Sequence, residues 1–155
     1  MATASRSVTP SGLSGPIYCD ASALVKLYVP EPESDELNRF LEGRRDLRVS
    51  DLSISEIASS LSRRRREGSL DSAFVARLHR AILDHMGEGV YRRVELIPAT
   101  HREAERLLLS LDAVALRAAD ALHLALAIAG EAASILTFDR RLSDAAGAIG
   151  LGAYP

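Results

Sequence analysis

Short apolar runs alternate along this chain with segments whose apolar residues recur at helical spacing. The apolar runs predict strands over residues 17–19, 47–49, 94–97 and 134–138, with a last segment over 149–154. The amphipathic segments predict helices over residues 21–29, 34–42, 54–68, 71–83, 104–111 and 118–129, and a short helix from residue 140. Strands that alternate with helices predict a parallel sheet with helices on both faces, which is an α/β fold.

The first part of the chain has a different composition from the rest. Residues 1–16 are rich in Ser, Thr, Gly and Pro, show no hydrophobic periodicity and lack the apolar stretch of a secretory signal. We therefore expect a poorly ordered extension over 1–16, followed by one domain over 17–155. A chain of 155 residues fits a single domain of this kind.

Charge and cysteine content exclude several classes of protein. The formal net charge is −2, from 19 Lys and Arg against 21 Asp and Glu, so the chain is not a polycation that binds nucleic acid through overall charge. The single cysteine, Cys19, excludes an internal disulfide framework and favours a reducing compartment such as the cytoplasm. No apolar run reaches the roughly 18 residues of a membrane-spanning helix.

Two acidic residues follow predicted strands, which is where parallel α/β sheets bind their ligands. Asp20 comes directly after the first strand and Asp139 directly after the strand over 134–138. Each also precedes a predicted helix, so helix capping is the alternative explanation for both. Ser53 and Glu56 fit a capping box, which would give Glu56 a local role only.

Asp120 lies inside the most apolar predicted helix of the chain. A carboxylate is seldom buried there unless it is paired or binds a metal ion. Arg117 and His123 stand three residues away on either side, so an ion pair with one of them is the alternative. The four histidines show no zinc-ligand spacing.

Several segments together resemble the PIN-domain ribonucleases, and in particular the VapC-type toxins of bacterial toxin–antitoxin pairs. Residues 18–28 read YCDASALVKLY, close to the family's D-x-S-A-L-x-K-x-Y motif. The family's L-R-x-x-D-A-L-H-L-A pattern matches LRAADALHLA at 116–125, and LTFDRRL at 136–142 matches its last motif. A Ser-Glu pair at 55–56 completes the set, whereas the N-terminal extension departs from the family.

The resemblance implies a three-layer α/β/α PIN-like fold with a central, mostly parallel sheet. It also implies an acidic pocket made of Asp20, Glu56, Asp120 and Asp139, supported through hydrogen bonds by Ser22 and Thr137. Mg²⁺, or Mn²⁺, prefers such oxygen ligands and retains several of its waters. In this interpretation Asp20, Asp120 and Asp139 hold one or two ions, and Glu56 positions or deprotonates the attacking water.

The same resemblance implies an RNA substrate, a cognate VapB-type antitoxin and a homodimer. We expect residues 34–66 to leave an apolar groove for an antitoxin segment, one of whose arginines reaches the acidic pocket. Arg140 and Arg141 lie nearest the predicted pocket and are candidates for RNA contact, and the arginine pairs and runs at 63–66 and 92–93 are further candidates. A solvated helix end is the alternative for the run at 63–66.

Three other functions remain open at the level of sequence. A metal nuclease acting on single-stranded or structured DNA would use the same chemistry. A phosphatase with an aspartyl nucleophile also places an Asp after its first strand, but Ser22 stands where that class needs a second Asp. A non-catalytic binding module would use the carboxylates only as caps and ion pairs.

Overall fold

A computed structural model describes residues 13–155, which form five strands and seven helices. The strands are β1 (Ile17–Cys19), β2 (Leu47–Ser50), β3 (Tyr91–Val94), β4 (Ser134–Leu136) and β5 (Gly152–Tyr154). The helices are α1 (Ala21–Tyr28), α2 (Ser34–Leu41), α3 (Asp51–Arg66), α4 (Ser72–Gly87), α5 (Pro98–Ser110), α6 (Ala118–Ala129) and α7 (Arg140–Ala148).

The strands make one sheet in the order β3-β2-β1-β4-β5, and all four pairings are parallel. Tyr18 at the centre of β1 stands opposite Arg48 of β2 and Ile135 of β4. The predicted parallel sheet is therefore confirmed, and the strand order reverses at β1. Sheets of this kind bind ligands beyond the carboxyl ends of the strands at such a reversal point.

Each face of the sheet has its own apolar core, which gives the three-layer α/β/α arrangement. Because side chains alternate along a strand, Ile17 and Cys19 pack into the core beneath α1–α4. Tyr18 points the other way, into the core made with α5, α6 and α7. Helix α6 contributes the largest buried stretch of that second core, which agrees with its nearly continuous apolar sequence.

The topology brings four helix N-termini to one edge of the sheet. Helices α1, α3 and α7 directly follow β1, β2 and β4, so each begins at the carboxyl end of a strand. Helix α6 leads into β4 and runs back along the sheet, so it also begins at that edge. Residues far apart in sequence are thereby placed around a single carboxyl edge.

Some element boundaries differ from the sequence-based expectation. The strand predicted over 94–97 lies instead at Tyr91–Val94, with Tyr91 and Val94 buried and the two arginines between them exposed. That strand is at the edge of the sheet, and Pro98 begins α5 soon after it. The helix predicted from residue 54 begins at Asp51, because the Ser50 hydroxyl caps it by accepting from the Ser53 N–H.

The predicted N-terminal extension lies mostly outside the described residues, which begin at Leu13. The Leu13 side chain is buried in the core beneath α1–α4, and the Pro16 carbonyl accepts hydrogen bonds from the N–H groups of Ala133 and Ser134. The domain boundary at residue 17 stays a prediction. Within residues 13–155, none of the helices has the length and apolar content that crossing a bilayer requires.

Candidate active site

Asp20 is the most enclosed acid at the carboxyl edge, with 4% of its surface exposed. It is the N-cap of α1: Oδ1 accepts from the Ala23 N–H at 2.9 Å and from the Ser22 hydroxyl at 2.7 Å. Oδ2 accepts from the Thr137 hydroxyl at 2.6 Å. Burial raises the pKa of Asp20, and the hydrogen bonds from Ser22 and Thr137 oppose that rise.

Asp139 is joined to Asp20 through Thr137. Its backbone N–H donates to the Thr137 hydroxyl oxygen at 3.0 Å, and that hydroxyl donates in turn to Asp20. The Asp139 carboxylate caps α7 by accepting from the Arg141 N–H at 2.9 Å, and its side chain is exposed. Capping is therefore confirmed for both Asp20 and Asp139, and it leaves both carboxylates at the same edge.

Asp120 is buried near the start of α6, with 7% of its surface exposed. Its Oδ2 accepts from the backbone N–H of Arg117 at 2.9 Å, which satisfies one of the free donors of the helix N-terminus. Among residues 13–155, Asp120 makes no ion pair, and the imidazole of His123 contacts other partners. The predicted alternative of an ion pair with Arg117 or His123 is therefore wrong.

The Glu56 carboxylate does not close the capping box suggested by Ser53. Ser50 caps α3 instead, so Glu56 lies in the second turn, past the reach of the N-cap N–H. Glu56 Oε2 lies 2.7 Å from Nε2 of His123 on α6, and 37% of the Glu56 side chain is exposed. Glu56 is thus a partly open carboxylate that another helix holds in place.

Sequence reasoning missed Tyr18 as a member of this region. Its hydroxyl lies 2.7 Å from His123 Nδ1 and 2.7 Å from the Ser50 hydroxyl. Burial raises the pKa of Tyr18, and the charges of Asp20 and Glu56 add to the rise. A signal was present in the sequence, because a tyrosine inside a buried strand requires a polar partner for its hydroxyl.

All four predicted acids therefore border the same edge of the sheet. Asp20 and Asp139 are linked through Thr137. The charges of Asp20 and Glu56 both lie close enough to Tyr18 to raise its pKa. Asp120 precedes by one helical turn the histidine that contacts Glu56.

The PIN domain family model matches residues 17–148 of this chain. The chain belongs to the PIN domain family. It is also 34% identical over 137 residues to ribonuclease VapC46 of Mycobacterium tuberculosis, a match that covers 87% of this chain and 93% of the relative.

Solved structures agree on the PIN domain fold. The chain superimposes with a TM-score of 0.65 on Mycobacterium tuberculosis VapC20, a sarcin-ricin loop cleaving toxin, at 18% identity over 83% of this chain and 94% of that one. PAE2754 from Pyrobaculum aerophilum gives 0.64 at 23% identity, over 88% and 82% of the two chains. FitAcB from Neisseria gonorrhoeae gives 0.63 at 13% identity, over 90% and 96%. These similarities establish the α/β/α arrangement.

The donor chemistry of this PIN domain fits a hard divalent ion. Its candidate ligands are carboxylate oxygens, and none of the hydrogen bonds within residues 13–155 reaches Oδ1 of Asp120. Mg²⁺ takes one or two carboxylates and keeps several waters. No group of three or more His, Cys, Asp or Glu side chains in the described part of the chain is arranged to hold a metal ion. The set of Asp20, Asp120 and Asp139 as three ligands stays a prediction.

The arginines considered for RNA contact do not all lie near the acids. Arg140 and Arg141 begin α7 at the carboxyl edge; Arg140 is exposed, whereas Arg141 donates to the Ala115 carbonyl at 3.3 Å. Arg93 pairs with Asp51 at 2.7 Å. The run at 63–66 ends α3, which places it at the opposite end of the helix from Glu56.

Proposed function

We propose that this chain is a divalent-metal-dependent ribonuclease that hydrolyses RNA phosphodiester bonds as the toxin of a toxin–antitoxin pair. The observation that carries the proposal is the placement of Asp20, Glu56, Asp120 and Asp139 at the carboxyl edge of one parallel sheet. The 34% identity to a ribonuclease over 87% of the chain supports the choice of substrate class.

In this mechanism the buried acids would bind the metal ion, and the partly exposed Glu56 would act on the attacking water. A bound divalent ion lowers the pKa of a water and stabilises charge on the scissile phosphate. Asp20 and Asp120, both buried, would hold that ion, with Asp139 coordinating it directly or through water. Mg²⁺ is the expected ion, with Mn²⁺ as an alternative. Glu56 has an exposed side and would orient the attacking water or accept its proton.

Ser22 and Thr137 would keep the Asp20 carboxylate in one orientation. Each hydroxyl donates to a different Asp20 oxygen, at 2.7 and 2.6 Å. Hydrogen bonds of this kind fix the direction of a ligand's remaining lone pairs.

Arg140 is the stronger candidate for contact with the RNA backbone. It is exposed beside Asp139, whereas the Arg141 guanidinium already donates to a carbonyl. An arginine at this position would bring a phosphate toward the acids and offset their charge.

Cleavage of matched oligonucleotides tests the proposed activity. The purified chain should cut single-stranded RNA in millimolar Mg²⁺ or Mn²⁺ and leave 5′-phosphate and 3′-hydroxyl ends. EDTA should abolish this cleavage. The same sequence as DNA serves as the control. Preferential cutting of DNA would favour the DNA nuclease. No cleavage of either RNA or DNA, with or without metal, would favour a binding module.

The antitoxin would occupy a groove at the amino end of the sheet. This groove, of about 770 Å³, lies between α1, α2 and the end of α4; its apolar wall includes Leu27, Leu41, Leu47 and Val90. Three arginines and one acid line it as well: Arg39, Arg44, Arg45 and Glu42. Arg44 is already paired with Asp46 at 2.8 Å, so Arg39 and Arg45 are the arginines available to a partner. An apolar segment with acidic neighbours matches that surface. The groove includes part of the predicted 34–66 segment and extends beyond it to α1 and α4. Because it lies at the opposite end of the sheet from the four acids, an antitoxin arginine bound in it would not reach the acidic pocket.

Homodimer formation would use an exposed apolar face on α5. Leu109 is 85% exposed and Leu108 is its partly exposed neighbour. Single exposed apolar side chains are common, whereas neighbouring ones such as Leu108 and Leu109 form a patch that a second copy of the chain would cover. Leu109→Glu should halve the mass measured by light scattering if this face holds the dimer. A cytoplasmic location, expected from the single cysteine, belongs to the same proposal.

A further inference from the structure

The His123 imidazole connects the interior of the domain to Glu56. Nδ1 lies 2.7 Å from the Tyr18 hydroxyl, and Nε2 lies 2.7 Å from Glu56 Oε2. His123 is 3% exposed, whereas more than a third of the Glu56 side chain reaches solvent. The ring therefore joins a buried hydroxyl on β1 to an open carboxylate on α3.

The chemistry of the partners fixes which ring nitrogen carries a proton. An ionised Glu56 carboxylate can only accept, so His123 Nε2 must donate to it. In the neutral ring Nδ1 is then an acceptor, and the Tyr18 hydroxyl donates to it. A tyrosine hydroxyl ordinarily titrates at about pH 10, so this one carries its proton at neutral pH.

The Tyr18 hydroxyl is itself oriented by two serines. The Ser53 hydroxyl donates to the Cys19 carbonyl at 3.0 Å, so its proton is not available to Tyr18. The Ser50 hydroxyl, 2.7 Å away, can donate to the Tyr18 oxygen and leaves the Tyr18 proton directed at His123. Ser50 also caps α3, the helix that carries Glu56.

A purely structural histidine would not need this arrangement. Any two polar partners satisfy the hydrogen bonds of a core imidazole. Here Nε2 of His123 bonds to a carboxylate that water could solvate instead. Holding a glutamate side chain in one rotamer costs conformational entropy. Such an expense is typical of a reactive group held in a working geometry.

We infer that His123 and Tyr18 are positioning residues that hold the Glu56 carboxylate toward the acidic edge. The inference rests on the proposed function, because Glu56 acts on the attacking water there. His123 restrains Glu56 directly, and Tyr18 restrains the ring and its tautomer. Both residues are buried, so neither is placed to touch the substrate.

Two amide substitutions at residue 123 test the role of the outer nitrogen. The side-chain nitrogen in His123→Gln is as many bonds from the backbone as Nε2, so it can still donate to Glu56. The amide in His123→Asn reaches only as far as Nδ1, so it cannot. In single-stranded RNA cleavage with Mg²⁺, His123→Asn should lower kcat about 10–100-fold with KM nearly unchanged, and His123→Gln should recover most of it.

A double-mutant cycle separates positioning from general damage. Adding His123→Asn to Glu56→Gln should cause little further loss, because the two residues act as one unit. Tyr18→Phe should lower kcat by a smaller factor than His123→Asn. Equal losses in His123→Gln and His123→Asn, or multiplicative losses in the double variant, would overturn the inference.

A readout independent of activity uses ¹⁵N NMR of the imidazoles, with the His123 signals identified by their loss in His123→Gln. The wild type should show a proton on Nε2 of His123, and Glu56→Gln should shift that nitrogen while leaving His79, His85 and His101 unchanged. No response of His123 to Glu56→Gln overturns the inference even if RNA is cleaved. Failure of the wild type to cleave RNA, with this contact present, contradicts the proposed function instead.

Discussion

At the carboxyl end of the sheet lie four carboxylates, of which those of Asp20 and Asp120 are buried, and several helices begin there. Asp20, Asp120 and Asp139 each accept from a free N–H at the start of a helix. At the amino end lies a groove with an apolar wall and three arginines, beside the C-terminal ends of α1 and α4. The two ends therefore differ in their side chains: carboxylates predominate at one end, and arginines beside an apolar wall at the other.

The difference shows how several carboxylates are tolerated at one edge of a sheet. Acids repel each other when close, but helix N-termini supply donors and a partial positive charge to each of them. The same three aspartates thus accept hydrogen bonds at helix N-termini and are the proposed ligands of the metal ion. At the amino end the polar groups satisfy each other instead: the Tyr28 hydroxyl lies 2.7 Å from that of Tyr91, and burial raises the pKa of Tyr91 to about 12.

The largest expected effect comes from neutralising Asp120 at the carboxyl end. Asp120→Asn should lower RNA cleavage by at least about 1,000-fold, because a metal ligand supplies several kcal/mol to the transition state. Its melting temperature in EDTA should equal or exceed that of the wild type, since the amide oxygen still accepts from Arg117 and one repelling charge is gone. Asp84→Asn on α4 is the matched control. Retained cleavage by Asp120→Asn would remove Asp120 from the site.

Metal binding should stabilise the carboxyl end selectively. Millimolar Mn²⁺ should raise the free energy of unfolding of the wild type by about 2.7 kcal/mol when the ion is at 100 times its Kd. Asp120→Asn should gain much less. Denaturant titrations with EDTA and with Mn²⁺ measure both values. An equal gain in the two proteins would place the ion elsewhere.

A charge reversal at the amino end should affect the partner and leave the chemistry alone. Arg45→Glu should weaken binding of the cognate antitoxin about tenfold, mainly in the association rate, because rim charges steer encounter. Its RNA cleavage without antitoxin should match the wild type. Arg102→Glu on α5, outside the groove, is the control. If Arg45→Glu loses cleavage and keeps the antitoxin, the assignment of the two ends is reversed.

The smallest effect concerns the pH dependence of stability at Asp20. Burial raises its pKa in the folded protein, so its contribution to stability is complete below the ordinary carboxyl range and is lost as pH rises through the raised value. The asparagine side chain in Asp20→Asn does not titrate, so the variant lacks this pH-dependent contribution to stability. In EDTA, the melting temperature of Asp20→Asn relative to wild type should therefore increase from pH 3.5 to pH 7. A gap that narrows with rising pH would contradict the burial argument.

The amino-acid sequence by itself determined the parallel α/β fold and the position of Asp20 and Asp139 at its carboxyl edge. Alternating apolar runs and amphipathic segments report local burial, and Asp20 and Asp139 were located because parallel strands place their carboxyl ends together. Helix α6 was predicted with its observed bounds, since an almost wholly apolar helix has little competing pattern. The edge strand β3 was misplaced because its two central residues are exposed arginines.

Only the tertiary structure decided which partner each polar group has. Ser53 and Glu56 fit a capping box by spacing, yet Ser50 is the N-cap of α3. Glu56 instead contacts His123, 67 residues away in sequence. Tyr18 and His123 are separated by 105 residues, and their contact depends on which face of β1 is covered by α6. Hydrogen bonds across layers are set by packing between elements, and local sequence patterns carry no record of that packing.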